Sequence, residues 1–249
     1  MLISISDIIV QSLALYKKHW KQLGLFSLVL FFPTLISSTT GILSTFMIAY
    51  APGTVAFTNI VTLAILVASA LFSLWATIVL SIKIKNLIAN KTDDTWPALF
   101  TAASPLIWPV LLTSVLTGIF VICGAILLVI PGIIFAIWYS LAIYIAIFEG
   151  KKGWAALQTS KSLVAGRWWL ILGSIVIPGL LFALIGAAIQ SVLAFPVATF
   201  VANEAVNDII QALIGALISS LFTPLFITAI VLVYLSAKNN PVATSPVTP

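Results

Sequence analysis

Few residues in this chain have the types and spacing for chemistry. His19 is the single histidine and Cys123 the single cysteine. A lone histidine beside Lys18 and Trp20 completes neither a tetrahedral metal site nor a nucleophile–base–acid triad. A lone cysteine in an apolar run has no disulfide partner and no metal-ligand spacing, and reads as a small packing residue. The six carboxylates are Asp7, Asp93, Asp94, Glu149, Glu204 and Asp208. All lie at the ends of apolar stretches or between them. None sits mid-stretch, where an ionisable group would mark a proton or ion path. Asp93 and Asp94 lack further carboxylates or histidines for a cation site, and read as a loop and helix start ahead of Trp96-Pro97. Glu204 and Asp208, spaced i, i+4, share a helical face and read as solvated residues at a helix start. No glycine-rich phosphate loop occurs. The residues therefore predict a protein that is not an enzyme, with no cofactor and no metal site.

The elements that carry these residues are apolar. The chain has 249 residues, 62% hydrophobic and 7% charged, with a mean hydropathy of +1.24. Soluble domains carry about 25% charged residues, so the solvent for most of this chain is lipid. Five charge-free stretches cover roughly 23–50, 55–82, 106–148, 168–195 and 209–236. A span takes about 20 residues. As one helix the third stretch would be about 65 Å long, so it must fold back. Pro131-Gly132 suits the two central positions of a type II turn. That divides the stretch into 106–130 and 131–148, with a re-entrant hairpin as the alternative for the shorter piece. The fold expected is all-α: a polytopic membrane helix bundle of six transmembrane helices at about 23–50, 55–82, 106–130, 131–148, 168–195 and 208–236.

Charge tests this layout independently. Lys17, Lys18 and Lys21 precede the first span. Lys83, Lys85 and Lys91 lie between the second and third. Lys151, Lys152, Lys161 and Arg167 lie between the fourth and fifth, and Lys238 follows the sixth. These eleven cations fall on one side of the six-span layout, and the opposite connections hold none. By the positive-inside rule both termini are expected in the cytoplasm, with the protein multi-pass in the cell (inner) membrane. Trp20, Trp96, Trp108, Trp154, Trp168 and Trp169 all fall near the basic loops, as an interfacial belt would.

Residues 1–22 read as an interfacial amphipathic helix capped by Ser6. Ile9, Leu13, Tyr16 and Trp20 lie on one face and Asp7, Gln11, Lys18 and Lys21 on the other. Residues 153–167 have the same plan, with Trp154, Leu157, Val164 and Trp168 opposite Gln158, Lys161, Ser162 and Ala165. A shift of 148 residues aligns Gln11-Ser12 with Thr159-Ser160, Leu15 with Leu163, His19 with Arg167 and Trp20 with Trp168. A third interfacial segment at 93–105 completes an approximate internal repeat of interfacial helix plus hairpin, all copies in one membrane orientation. Within the spans, Ser69, Ser73 and Thr77 share a face, and Ser114–Gly118 and Gly215–Ser219 are small-xxx-small pairs suited to close helix packing. The start of the chain is not expected to be a cleavable signal peptide. Residues 237–249, polar and proline-rich, are expected to form a disordered cytoplasmic tail.

The site these patterns predict is an anchor. Lys17, Lys18, Trp20, Lys21, Lys151, Lys152, Trp154, Lys161, Arg167, Trp168 and Trp169 are expected to hold membrane lipids through anionic headgroups at the cytoplasmic face. No nucleic-acid partner is expected, and a protein partner or homo-oligomer is left open.

Residues 127–169, with Pro131-Gly132, the Glu149-Gly150 exit, Ala156-Leu157, Ser160 and Gly166-Arg167-Trp168-Trp169, carry a resemblance. They resemble the core of prokaryotic membrane proteins related to the membrane domain of glycerophosphoryl diester phosphodiesterase, and are similar to the YciC-like proteins. The amphipathic start and the closing run with Pro224 and Tyr234 also look like that family. The resemblance implies a stand-alone membrane domain. The phosphodiesterase chemistry belongs to a separate soluble barrel, for which this chain has neither the length nor the acidic and histidine residues. Two functions stand: a non-enzymatic integral membrane protein of the prokaryotic cell membrane, in envelope organisation or as a partner subunit, and alternatively a transporter or channel for a small or lipid-like molecule.

Overall fold

The computed structural model describes residues 2–91 and 94–240. Among them every regular element is helical: α1 (Ile5–Lys18), α2 (Trp20–Tyr50), α3 (Val55–Ile88), α4 (Trp96–Ala103), α5 (Ile107–Leu127), α6 (Val129–Trp138), α7 (Ala142–Glu149), α8 (Trp154–Val164), α9 (Trp168–Phe200) and α10 (Glu204–Asn239). Six helical runs are long and apolar enough to cross a membrane: Trp20–Met47, Val55–Ile88, Trp96–Leu127, Val129–Glu149, Trp168–Phe200 and Glu204–Asn239. They make this a multi-pass membrane protein with an all-α fold. The outward-facing side chains agree. Phe57, Leu184 and Val192 are 66%, 68% and 72% exposed, which an aqueous surface would penalise and a lipid one favours.

The element boundaries correct several expectations. The cap of α1 is Ser4, not Ser6. Its Oγ accepts the Asp7 N–H at 3.1 Å, the N-cap bond, and donates to Asp7 Oδ2 at 2.6 Å. Only His19 separates α1 from α2, so the interfacial helix ends before residue 22. In α1 the residues buried in protein are Ile8 and Ser12, while Leu13, assigned to the apolar face, is 47% exposed. Helix α10 runs on to Asn239, so 237–239 belong to it and not to the tail. The remainder of the expected tail, 241–249, lies outside the described residues, as does Asp93.

The largest correction is the fold-back. Pro131 and Gly132 are not a turn but lie in the first turns of α6. The chain reverses one residue after α5, at Leu128, whose backbone is extended (φ −166°, ψ 148°). The Leu128 N–H donates to the Gly124 carbonyl at 3.0 Å, and the Leu128 carbonyl accepts the Gly132 N–H at 3.4 Å. Pro131 has no N–H to leave orphaned. Glycine is needed for proximity. A Cβ on Gly132 would lie 2.9 Å from the Ala125 Cα, N and Cβ, and one on Gly124 would lie 2.7 Å from the Phe135 ring. Gly118 of the expected small-residue pair has nothing within 4 Å of a built Cβ, so the close packing of α5 lies about two turns further on, at Gly124 and Ala125.

Contacts gather the described chain into two compact units, one drawn from 1–15, 78–179 and 227–249, the other from 16–77 and 180–226. The first contains the ends of α3 and α10 with basic residues, and all of α4 to α8. Its core includes Ile78, Ile84, Leu99, Ile145, Leu157, Val164, Ile171 and Tyr234. Helix α7 is apolar nearly all round, and Ala142, Tyr144, Ile145, Ala146 and Ile147 are buried, as expected of a helix inside a bundle. In the second unit, Ser37 of α2 and Ser69 of α3 lie 3.2 Å apart. Gln211 and Asn207 of α10 donate to the Ala194 and Val197 carbonyls of α9. Asn203 caps α10 by accepting the Val206 N–H at 3.1 Å, and Glu204 and Asp208 beside it are exposed.

Candidate functional site

The polar residues of the first unit collect where α7 passes into α8. The lysine pair Lys151-Lys152 stands between two glycines with positive φ: Gly150 (φ 68°, ψ 5°) and Gly153 (φ 56°, ψ −128°). Gly150 is a left-handed stop for α7. The Gly153 conformation is one that a Cβ disfavours strongly. The Gly153 N–H donates to Thr113 Oγ1 of α5 at 2.9 Å, which pins the start of α8.

Helix α8 then presents its buried line, Ala156, Leu157, Ser160 and Val164, to the other helices. Ser160 is the polar member, and its hydroxyl has a definite task. It donates to the Trp138 carbonyl at 2.7 Å and accepts the Leu141 N–H at 3.2 Å. These groups flank the break between α6 and α7, so one side chain satisfies both sides of a discontinuity in an apolar setting.

Two charged nodes hold helix ends together. At the first, Glu149 Oε1 accepts from Tyr234 Oη at 2.8 Å and pairs with Lys238 Nζ at 3.0 Å, while Oε2 pairs with Lys151 Nζ at 3.1 Å. Lys85 lies 4.7 Å from the centre of the Phe148 ring, and Phe148 packs on Tyr234 at 5.3 Å. One carboxylate thus gathers the ends of α7 and α10 and the start of the following loop. At the second node, Arg167 Nε donates to the Leu163 carbonyl at 2.7 Å, Nη2 to the Ala237 carbonyl at 2.7 Å and Nη1 to the Asn240 carbonyl. The guanidinium therefore supplies donors to the last carbonyls of α10, where a cation also faces the negative end of the helix dipole. Burial lowers the Arg167 pKa from its ordinary value, but a guanidinium stays charged throughout the physiological range. A smaller node lies at the end of α3, where Asn86 Nδ2 donates to Asp94 Oδ2 at 2.6 Å and the buried Lys83 lies over Trp96 at 5.7 Å.

The outer side of α8 borders a groove of about 370 Å³ lined by Tyr139, Trp154, Gln158, Lys161, Ser162 and Ala165. Lys161 Nζ lies 4.4 Å from the centre of the Trp138 ring. The Trp154 ring packs on Phe120 of α5 at 5.5 Å, and Phe120 on Tyr139 at 5.7 Å.

No family model matches this sequence, and no curated protein or solved structure matches it. The site is therefore read from its own geometry.

That geometry divides the residues expected to anchor lipid. Lys17 and Lys18 close the last turn of α1. Trp20, 60% exposed, has Lys21 Nζ 6.0 Å from its ring centre. Lys152 is exposed, and Trp168 and Trp169 meet edge to face at 4.6 Å with Trp169 outward. Lys151 and Arg167 are instead engaged within the protein. Trp154 departs from the expected face, because it is half exposed on the groove side while Leu157 and Val164 are buried. Residues not singled out from sequence are Thr113, Tyr139 and Lys85. The partners of Thr113 and Lys85, Gly153 and Phe148, lie far along the chain, and Tyr139 packs on both the nearby Phe135 and the distant Phe120.

The Glu149 node makes a testable distinction. The lysine side chains of its ion pairs are 43% and 48% exposed, so each pair contributes at most about 1 kcal/mol. Glu149→Gln keeps an acceptor for Tyr234 and loses only the ion pairs. Glu149→Ala also leaves the Tyr234 O–H without its acceptor, although its oxygen still accepts from Lys238 at 3.4 Å, at a cost of about 1–3 kcal/mol. Thermal unfolding in detergent should rank wild type above Glu149→Gln above Glu149→Ala, with the first gap shrinking as salt rises. Equal destabilisation by the two substitutions, independent of salt, would contradict the assignment.

Proposed function

We propose that this chain is a non-enzymatic integral membrane protein of the prokaryotic cell membrane, acting in envelope organisation or as a partner subunit. The observation that carries this reading is the use of its charged groups. Glu149 and Arg167 are occupied in joining helix ends. The resemblance to the membrane domain of glycerophosphoryl diester phosphodiesterase supports the same direction, since that domain is separate from the catalytic barrel. The basic ends of the helices face the cytoplasm in this reading, and Lys17, Lys18, Trp20, Lys21, Lys152, Trp154, Lys161, Trp168 and Trp169 meet anionic headgroups there.

The topology is tested by cysteine labelling in a Cys123→Ala background. A membrane-impermeant maleimide should label Gly53→Cys in intact cells, and Lys152→Cys only after permeabilisation. The reverse pattern would overturn the orientation.

One observation favours transport as a second reading. Thr40, Ser44, Thr58 and Thr62 border a crevice of about 110 Å³ in the second unit, and the buried Thr58 hydroxyl has no hydrogen-bond partner. Saturable flux of a small molecule or lipid in reconstituted liposomes, lost on Thr58→Val, would replace the structural role with transport.

A further inference from the structure

We infer that the groove beside α8 is a stoichiometric binding site for one anionic phospholipid, distinct from the diffuse lipid belt formed by the other basic and tryptophan residues. The inference rests on the membrane reading above and narrows it to a place and a ligand class.

Of the cations between α7 and α9, Lys151 is paired with Glu149 and Arg167 with three carbonyls. Lys161 has no carboxylate partner among the described residues. Its ammonium lies on the Trp138 ring and lines the groove. A cation held on an aromatic face keeps most of its attraction for an anion. Gln158, Tyr139, Ser162 and Trp154 line the same space; the Gln158 amide is a donor suited to phosphate and glycerol oxygens, while the Ser162 hydroxyl already donates to the Thr159 carbonyl at 2.8 Å. The volume of about 370 Å³ falls within the roughly 300–1,000 Å³ of ordinary small-molecule sites. That is more room than a simple anion needs.

Chain packing selects a lipid over a soluble phosphate compound. The aromatic wall of the groove continues through Trp154 to Phe120 of α5. Val115, Ile119 and Ile122, 51%, 50% and 60% exposed, lie on a side of α5 turned away from Phe120. The stripe they form with Leu112 begins instead beside Gly153, where a Cβ would lie 3.3 Å from Leu112, and offers acyl chains an apolar path next to Trp154. A headgroup at Lys161 and tails along α5 use both surfaces. Polar tips with apolar bodies, as in Tyr139 and Trp154, are suited to this boundary.

The test uses the full chain in nanodiscs and native mass spectrometry. Wild type should retain one phosphatidylglycerol in preference to phosphatidylcholine, by about fivefold or more. Lys161→Met keeps the stem on Trp138 and removes the charge, and should abolish the preference. Trp154→Ala should reduce retention of the lipid. Lys91→Glu, a charge change outside the groove, should leave the preference in place. Millimolar inorganic phosphate should not displace the lipid. Loss of the preference in Lys91→Glu to the same degree as in Lys161→Met, or displacement by phosphate, would overturn the site. Liposome flotation separates the two readings. Wild type that floats without lipid preference would refute the groove alone, and wild type that fails to float would refute the membrane reading itself.

Discussion

Gly132→Leu should leave the α5–α6 hairpin unable to close. A Cβ at this position meets the backbone of Ala125 at 2.9 Å, and backbone cannot rotate away as a side chain can. Helix propensity argues the other way, since Gly in a helix interior costs about 1 kcal/mol relative to Ala. Overpacking costs about 1–3 kcal/mol even in cores able to adjust, and this contact has backbone on one side. The sign is therefore destabilising already for Gly132→Ala, by about 1–2 kcal/mol net, and Gly132→Leu should lose about 3 kcal/mol. Gly118→Ala, on α5 with open space around it, isolates the propensity effect and should be neutral or stabilising. Melting in detergent with size-exclusion profiles reads all three. A Gly132→Ala protein as stable as Gly118→Ala would mean that α5 and α6 do not approach as described.

Arg167→Ala should be comparably damaging through a different mechanism. It removes donors from the carbonyls of Leu163, Ala237 and Asn240. Hydrogen bonds to a charged group contribute about 1.5–3 kcal/mol each and do not add fully, so the net loss should be about 3 kcal/mol. Arg167→Lys should recover less than half, because a single ammonium lacks the planar fork that reaches two helices at once. Proteolysis at the end of α10 should accelerate in step with the loss of melting temperature. The arginine remains charged across the physiological range, so the effect should be the same at pH 6 and pH 8. A fully restored Arg167→Lys protein would point to simple charge at the helix end in place of the three-carbonyl grip.

The parts of the fold legible in the sequence are those set by composition and periodicity. Stretches such as 55–82 and 168–195 are apolar regardless of their neighbours, and both lie within single helices, Val55–Ile88 and Trp168–Phe200. The fold-back lies at Leu128 and not at Pro131-Gly132, a pair that fits a type II turn and the start of a helix equally well. What decides is the approach of Gly132 to Ala125, which a local window does not contain. The same holds for Trp154, whose helical spacing places it with Leu157 and Val164 but whose ring packs on Phe120. Arg167 is the clearest case of what spacing conceals. Its basic character in an interfacial segment is visible, but two of its acceptors lie 70 and 73 residues away.

The bridge from Ser160 across the break between α6 and α7 has a consequence for the order of assembly. Until α8 has been synthesised and docked, the Trp138 carbonyl and the Leu141 amide have no partner from it, and hydrocarbon offers none. The α6–α7 run is thus a span that cannot settle in lipid on its own residues. The α6–α7 run is therefore expected to reach its final place together with α8, in one cooperative step.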